Sequence, residues 1–131
     1  MKLPDWQKRF SEFGKARARM PFAWGSNDCC TFAAAGVEAI TGVNPMASVE
    51  PYDSEFGAMR RVAEAGGLQA LASEYLGTSV SPLLASVGDV VLVLNEDREM
   101  LGICNGVNVM APGELGMVAL GMEAALAAWK I

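Results

Sequence analysis

Cys29 and Cys30 are the residues of this chain best suited to chemistry. They follow Gly25-Ser26-Asn27-Asp28, a run of turn-forming and helix-capping residue types, and they precede an apolar stretch that reads as a helix. A cysteine at a helix N-terminus feels the positive end of the helix dipole, which favours the thiolate. That is the setting of a cysteine nucleophile, whose usual partner is a histidine base. The chain has no histidine. Asp28 is adjacent, but a carboxylate beside a thiolate raises the pKa of the thiol. Amide cleavage also needs a general acid for the leaving amine, commonly worth roughly 10²–10⁴-fold. The residues alone therefore describe a nucleophile position without its proton-transfer partner.

Other chemistries are poorer fits. Neighbouring cysteines do not readily both reach one tetrahedral ion, and metal pairs usually lie two to four residues apart. Cys29, Cys30 and Cys104 are thus read as reduced thiols of a cytosolic compartment, with no metal and no cofactor expected. Gly66-Gly67 and the glycines between Gly102 and Gly106 match no nucleotide-binding loop.

The elements that must position these thiols follow from pattern. The chain has 131 residues, 52% of them hydrophobic and 19% charged, which suits one packed domain. Its net charge of −5 argues against a nucleic-acid partner. Six of its ten basic residues lie in the first nineteen positions, on what reads as the solvated face of an amphipathic helix. Eight methionines and a positive mean hydropathy point to some apolar surface meeting a partner protein. No run approaches the ~20 apolar residues of a membrane span, and no secretory signal opens the chain.

Trp6, Phe10 and Phe13 mark a helix within 4–19, ended by Pro21, with Phe22 and Trp24 beyond it as buried anchors. Ser26, Asn27 and Asp28 are all competent caps for a helix whose Cys29, Phe32, Ala33, Gly36, Val37 and Ile40 share one face, with Gly42 closing it. The small residues on that face require a closely packed neighbour, most simply a sheet. After a loop over 43–53, helices are expected over 54–65, with Phe56 and Met59 on its apolar side, and over Leu68–Leu76. Residues 89–94, 100–104, 107–111 and 115–120 read as four strands, with Asn105-Gly106 as a hairpin turn and Pro112-Gly113 as another. Residues 121–131 read as a short terminal helix or tail carrying Trp129. The expected fold class is α+β over a single domain, 1–131: a helical half, 1–77, packed on an antiparallel sheet of about four strands within 88–120.

Trp24-Gly25, Asp28-Cys29 and Phe32, followed by Gly88-Asp89-Val90-Val91, resemble the NlpC-type cell-wall cysteine peptidases, which are papain-like enzymes that cut peptidoglycan stem peptides. The chain is more closely similar to small phage and prophage proteins sharing this WG-x-x-DC-x-x-F-A segment, a GD-V strand, a G-I-C-N-G-like hairpin and an A-x-x-A-W tail ending here at Trp129. In the peptidases the cysteine matching Cys29 is the nucleophile, and a histidine opens the strand after the GD strand. The matching segment here is Met100-Leu101-Gly102-Ile103-Cys104, so Met100 or a neighbour stands at the base position, and Asn108 is the match for the third residue of the triad.

The resemblance implies a papain-like scaffold with a vestigial site at Cys29, Met100 and Asn108. It implies a non-catalytic structural component of a phage tail, at the tip, in the baseplate or in tail assembly, held among other tail proteins in a hetero-oligomer. Such a protein would be assembled in the bacterial host cytoplasm and reside in the virion. The alternative is an active peptidoglycan-directed cysteine hydrolase whose base comes from a partner. On the structural reading, Trp24, Gly25, Asp28, Phe32, Gly88, Asp89 and Trp129 hold the fold.

Overall fold

The computed structural model describes residues 1–131. Four helices come first: α1 (Trp6–Arg17), α2 (Cys29–Thr41), α3 (Glu55–Ala65) and α4 (Leu68–Leu76). Five strands follow: β1 (Val90–Asn95), β2 (Arg98–Cys104), β3 (Asn108–Gly113), β4 (Gly116–Gly121) and β5 (Ala125–Trp129). They form one antiparallel sheet in the order β4-β3-β2-β1-β5. The class is α+β.

Helix α2 is the spine of the helical layer. Asp28 caps it by accepting from the Thr31 N–H while Thr31 Oγ1 accepts from the Asp28 N–H, and Gly42 closes it with φ +83°. Its small-residue face lies against β2. A Cβ on Gly36 would stand 1.9 Å from Ile103 Cδ1, so only glycine lets the helix come this close to the sheet. Phe10 and Phe13 of α1 join Phe32, Ile40, Ile103 and Met110 in one apolar cluster, and Ala33, Val37, Leu68, Leu92, Leu101 and Trp129 build the adjoining one.

The strands are apolar on both faces. Val91, Val93, Cys104, Val109 and Ala128 point away from the helices and are covered by Val80 and Ala85 of the connector between α4 and β1. Val80 also exchanges two backbone hydrogen bonds with Ala128. Burial on both sides explains why β1 reads as an unbroken run of apolar residues instead of an alternation.

The structure changes several expectations. Residues 121–131 are neither helix nor tail. After a short 3₁₀ turn at Met122–Ala124 they form β5, which pairs with β1 from Val90↔Trp129 to Val93↔Ala125. The helical spacing of Met122, Ala125, Leu126 and Trp129 yields to the open edge of β1, whose backbone groups need a partner. The sheet consequently has five strands, not four. Pro112-Gly113 belongs to β3 instead of a turn; pairing with β2 stops at Met110, so the missing N–H of Pro112 costs no ladder bond on that side. In the β2–β3 hairpin, Asn105 and Asn108 pair and Gly106-Val107 are the two loop residues, one position later than expected, with Gly106 at φ +100°. Phe22 and Trp24 are half-buried and stack edge to face at 4.7 Å. On α3 only Ala58 is buried, whereas Phe56 is 78% exposed and Met59 is also exposed.

Candidate functional site

The segment between α1 and α2 is tied down before it presents the thiols. Asn27 is fully buried; its amide donates to the carbonyls of Met20 and Pro21, and its Oδ1 accepts from Arg17 Nη1 at 2.8 Å. Gly25 takes φ +84°, and a Cβ there would stand 1.9 Å from the Tyr52 carbonyl. Asp28 is 1% exposed. Its Oδ1 accepts from the Thr31 N–H, and its Oδ2 accepts from the Gly25 N–H and the Tyr52 O–H, both at 2.8 Å. Burial, together with the Asp28 charge and hydrogen bond, pushes the Tyr52 phenol well above its ordinary pKa. Both oxygens of the Asp28 carboxylate are thus engaged as cap and anchor.

Cys29 and Cys30 open α2 and are both half-buried. They line a cleft of about 960 Å³ bounded by α2, the loop through Tyr52, helices α3 and α4, the β1–β2 hairpin and the end of β3. The neighbouring Cys30 side chain holds the Cys29 thiol below its ordinary pKa. Burial opposes this, the Leu101 N–H and Arg98 reinforce it, and Asp28 works against it. Cys29, together with burial, pushes the Cys30 thiol far up.

The sheet decides what faces that sulfur. Along β2, Leu101 and Ile103 point to the helices, whereas Met100 and Cys104 point to the opposite face. Met100 is therefore not the residue opposing Cys29. It lies among the residues beneath the sheet, where its sulfur accepts from the Asn95 amide at 3.7 Å. The β2 residue on the side of Cys29 is Leu101, a member of the core cluster on which Cys29 packs. Asn108 is also displaced from the site. It opens β3 at the hairpin end, next to Val109, which pairs with Cys104, and it does not line the cleft. Along β2, Leu101 lies three residues from Cys104, about 10 Å at the usual rise per strand residue. No polar side chain from β2 or β3 takes the place of a triad partner directly across from Cys29.

The remaining motif residues are structural in their contacts. Asp89 is fully buried at the start of β1 and anchors the end of the chain. Its oxygens accept from the Ile131 N–H, the Ser86 N–H and the Ser86 hydroxyl, and Lys130 Nζ lies 2.5 Å away. Burial alone would raise its pKa, but Lys130 and these donors hold the carboxyl below its usual range. Gly88, at φ +93°, sits against Ile40 of α2. Trp129 is fully buried, and its indole N–H donates to Ser73 of α4 at 3.2 Å.

Cys104 lies on the face of the sheet away from Cys29 and Cys30, so the three sulfurs are not gathered, and no cluster of three metal-ligating side chains exists in the fold. No helix is long and apolar enough to cross a membrane. Two site contributors were not legible in sequence: Tyr52, hidden in a loop reading, and Asn27, taken only as one of three possible caps. A lone tyrosine amid prolines and acids is the one signal that marks an anchor there.

Fold and site together define a small α+β domain whose leading helix presents a paired thiol to a cleft with no histidine in it. The chain belongs to the family described as Domain of unknown function (DUF6950), which matches residues 1–131. No curated protein matches it.

Proposed function

We propose that the chain is a non-catalytic structural component of a phage tail, in the tip, the baseplate or tail assembly, built on a degenerate papain-like scaffold of the NlpC type. The observation that carries the non-catalytic part is Leu101, which faces Cys29 from β2 in the strand where the peptidases that this sequence resembles bring their histidine. Asp28 supports it, because both its oxygens are engaged in holding the helix start. The tail assignment rests on the resemblance across Trp24 to Trp129. A role among partner subunits agrees with the exposed Leu83, Val107 and Leu115. The expected partners are other tail proteins in a hetero-oligomeric assembly within the virion.

The test is composition of purified particles. A fixed copy number in the tail, with Cys29→Ala particles remaining infectious, agrees with this reading; absence from particles defeats it. A second reading, a peptidoglycan-directed hydrolase completed by a partner's base, draws on one observation, the open cleft at Cys29. Peptidoglycan cleavage by the assembled tail, lost on Cys29→Ala, would select it.

A further inference from the structure

We propose that the outer edge of β4 is a self-pairing surface, through which two copies of the chain join antiparallel at Ala119–Gly121 and merge their sheets into one. This goes beyond the structural role above and stands or falls separately from it, since it is read on the isolated protein and not on particles.

β4 stands at the end of the sheet order, so no strand lies on its outer side. Two sets of bonds tell which of its backbone groups face that side. Met117 donates its N–H to the Ala18 carbonyl, away from its partner Pro112. At the other end, Asn108 accepts from the Asn105 N–H and donates its own N–H to Asn105 Oδ1, away from its partner Gly121. Pro112↔Met117 and Asn108↔Gly121 are therefore non-hydrogen-bonded pairs, and by the alternation of an antiparallel ladder so is Met110↔Ala119 between them. Met117, Ala119 and Gly121 thus turn their backbone groups outward. Ala18 and Arg19 cover the edge at Gly116 and Met117, and the edge from Val118 to Gly121 stays open, with Ala119 exposed. Gly121 is still extended, with φ −71° and ψ 145°; its carbonyl also opens the 3₁₀ turn that follows and keeps a second lone pair.

The occupant that fits this window is a second copy. Natural edges are kept apart by charges, proline or bulges, and β4 has none of these: no charged residue occurs from Leu115 to Met122, and its register with β3 is unbroken. At the opposite edge, β5 already holds Val80 through the two bonds at Ala128. A twofold axis at Leu120 sets each Ala119 opposite the second copy's Gly121. Each of those two pairings exchanges two main-chain bonds. An axis at Ala119 would instead run the second copy's Gly121 into Ala18, which already sits beside Met117. With the axis at Leu120, the half-buried Leu120 meets its twin, and Val118, 40% exposed, meets Met122. The ends of the window carry opposite charges. Arg19 lies beside Gly116, and the Glu123 carboxylate lies over Gly121. Both are exposed and neither has an ion-pair partner within the chain. The pairing brings each Arg19 to the second copy's Glu123, twice over. Because both copies use the same edge, the contact closes at two.

The experiment is sedimentation equilibrium of the reduced, full-length protein, with amide hydrogen exchange followed at low and high concentration. The contact is small, so a monomer–dimer equilibrium is expected with a dissociation constant between about 1 μM and 1 mM. Raising the concentration should slow exchange at Ala119 and Gly121, and leave Val118 and Leu120 unchanged, since their N–H groups already face β3. Ala119→Pro removes an outward donor without touching the β3 ladder. It should raise the dissociation constant at least about tenfold while the melting temperature holds. Arg19→Glu and Glu123→Arg should each weaken the dimer about threefold, and the two together should restore it. A monomer at every concentration, a dimer indifferent to Ala119→Pro, or new protection away from Ala119 and Gly121 would each overturn the proposal. Charge variants that fail to rescue one another would overturn the register. Protection of these amides only when another protein is added would give the edge to that partner and overturn the second copy. The exchange measurement uses the unaltered chain, so misfolding of a variant cannot imitate the result.

Discussion

The two ends of helix α2 have opposite surroundings. Around Phe32, Gly36 and Ile40 the helix is enclosed: α1 covers one side, Ile103 and Met110 the other, and a Cβ at Gly36 would collide with the sheet. Around Cys29 and Cys30 the same helix looks into a cleft whose lining joins buried side chains such as Leu101 to exposed ones such as Glu74 and Glu99. Each end is fastened by a buried aspartate, but in different ways. Asp28 at the cleft end is satisfied by neutral donors from its own turn and from Tyr52. Asp89, next to Gly88 and Ile40 at the enclosed end, is satisfied by a lysine and by the backbone of the last residue. Close packing is therefore concentrated on the face of the helix that carries Phe32, Gly36 and Ile40, and the cleft lies along the face that carries Cys29, Ala33 and Val37.

Phe32→Ala should be the costliest way to break this contrast. It empties a fully enclosed aromatic site and should remove about 3–5 kcal/mol in chemical denaturation; a loss below about 1 kcal/mol would mean that the enclosed end is not packed as described. Asp28→Ala comes next, at about 2–3 kcal/mol, since it removes a cap and leaves the Gly25 N–H and Tyr52 O–H short of an acceptor. Tyr52→Phe should recover part of that loss in the double variant, because the stranded hydroxyl is gone.

Asp89 tests the other anchor through pH. Its pKa is depressed in the folded protein, so its stabilisation is complete above the unfolded carboxylate value, near pH 4, and fades as pH falls through the lower folded value. Denaturation midpoints of the unaltered protein should drop over that acidic range. Asp89→Asn should cost about 1–2 kcal/mol at neutral pH and show a smaller drop in acid; an unchanged acid profile would remove the assignment. Cys29→Ala should cost less than about 1 kcal/mol, because the thiol is half-buried beside open space. A large loss there would make the cleft end a second core. Smallest is the β1–β2 turn, where Glu96 and Asp97 hold φ of 50° and 64° without glycine. Asp97→Gly should raise stability by up to about 1 kcal/mol.

Much of this contrast was legible beforehand. The stripe Phe32, Ala33, Gly36, Val37, Ile40 announced a helix pressed against a close neighbour, and Asp28 and Gly42 marked its ends, because caps and periodicity are local properties. The hairpin at Asn105 was legible but slipped by a residue, since either Asn-Gly or Gly-Val can occupy the two loop positions. The site was less legible. Met100 and Leu101 are adjacent and both apolar; which one faces Cys29 depends on the phase of the strand, and a shift of one residue exchanges the two faces. Phe56 and Met59 look like core on periodicity alone, and whether another element covers them is a tertiary matter.

The sequence by itself determined the helices, the order of helices before strands, the capped thiol at residue 29 and the absence of a histidine to serve it. These depend on residue type and on neighbours a few positions away. The tertiary structure alone decided that the tail from Ala125 to Trp129 becomes the fifth strand, that Tyr52 reaches Asp28, and that Leu101 and not Met100 looks at Cys29. Each of those depends on which distant backbone edge, hydroxyl or face is brought alongside, and long-range pairing leaves no local signature in the chain.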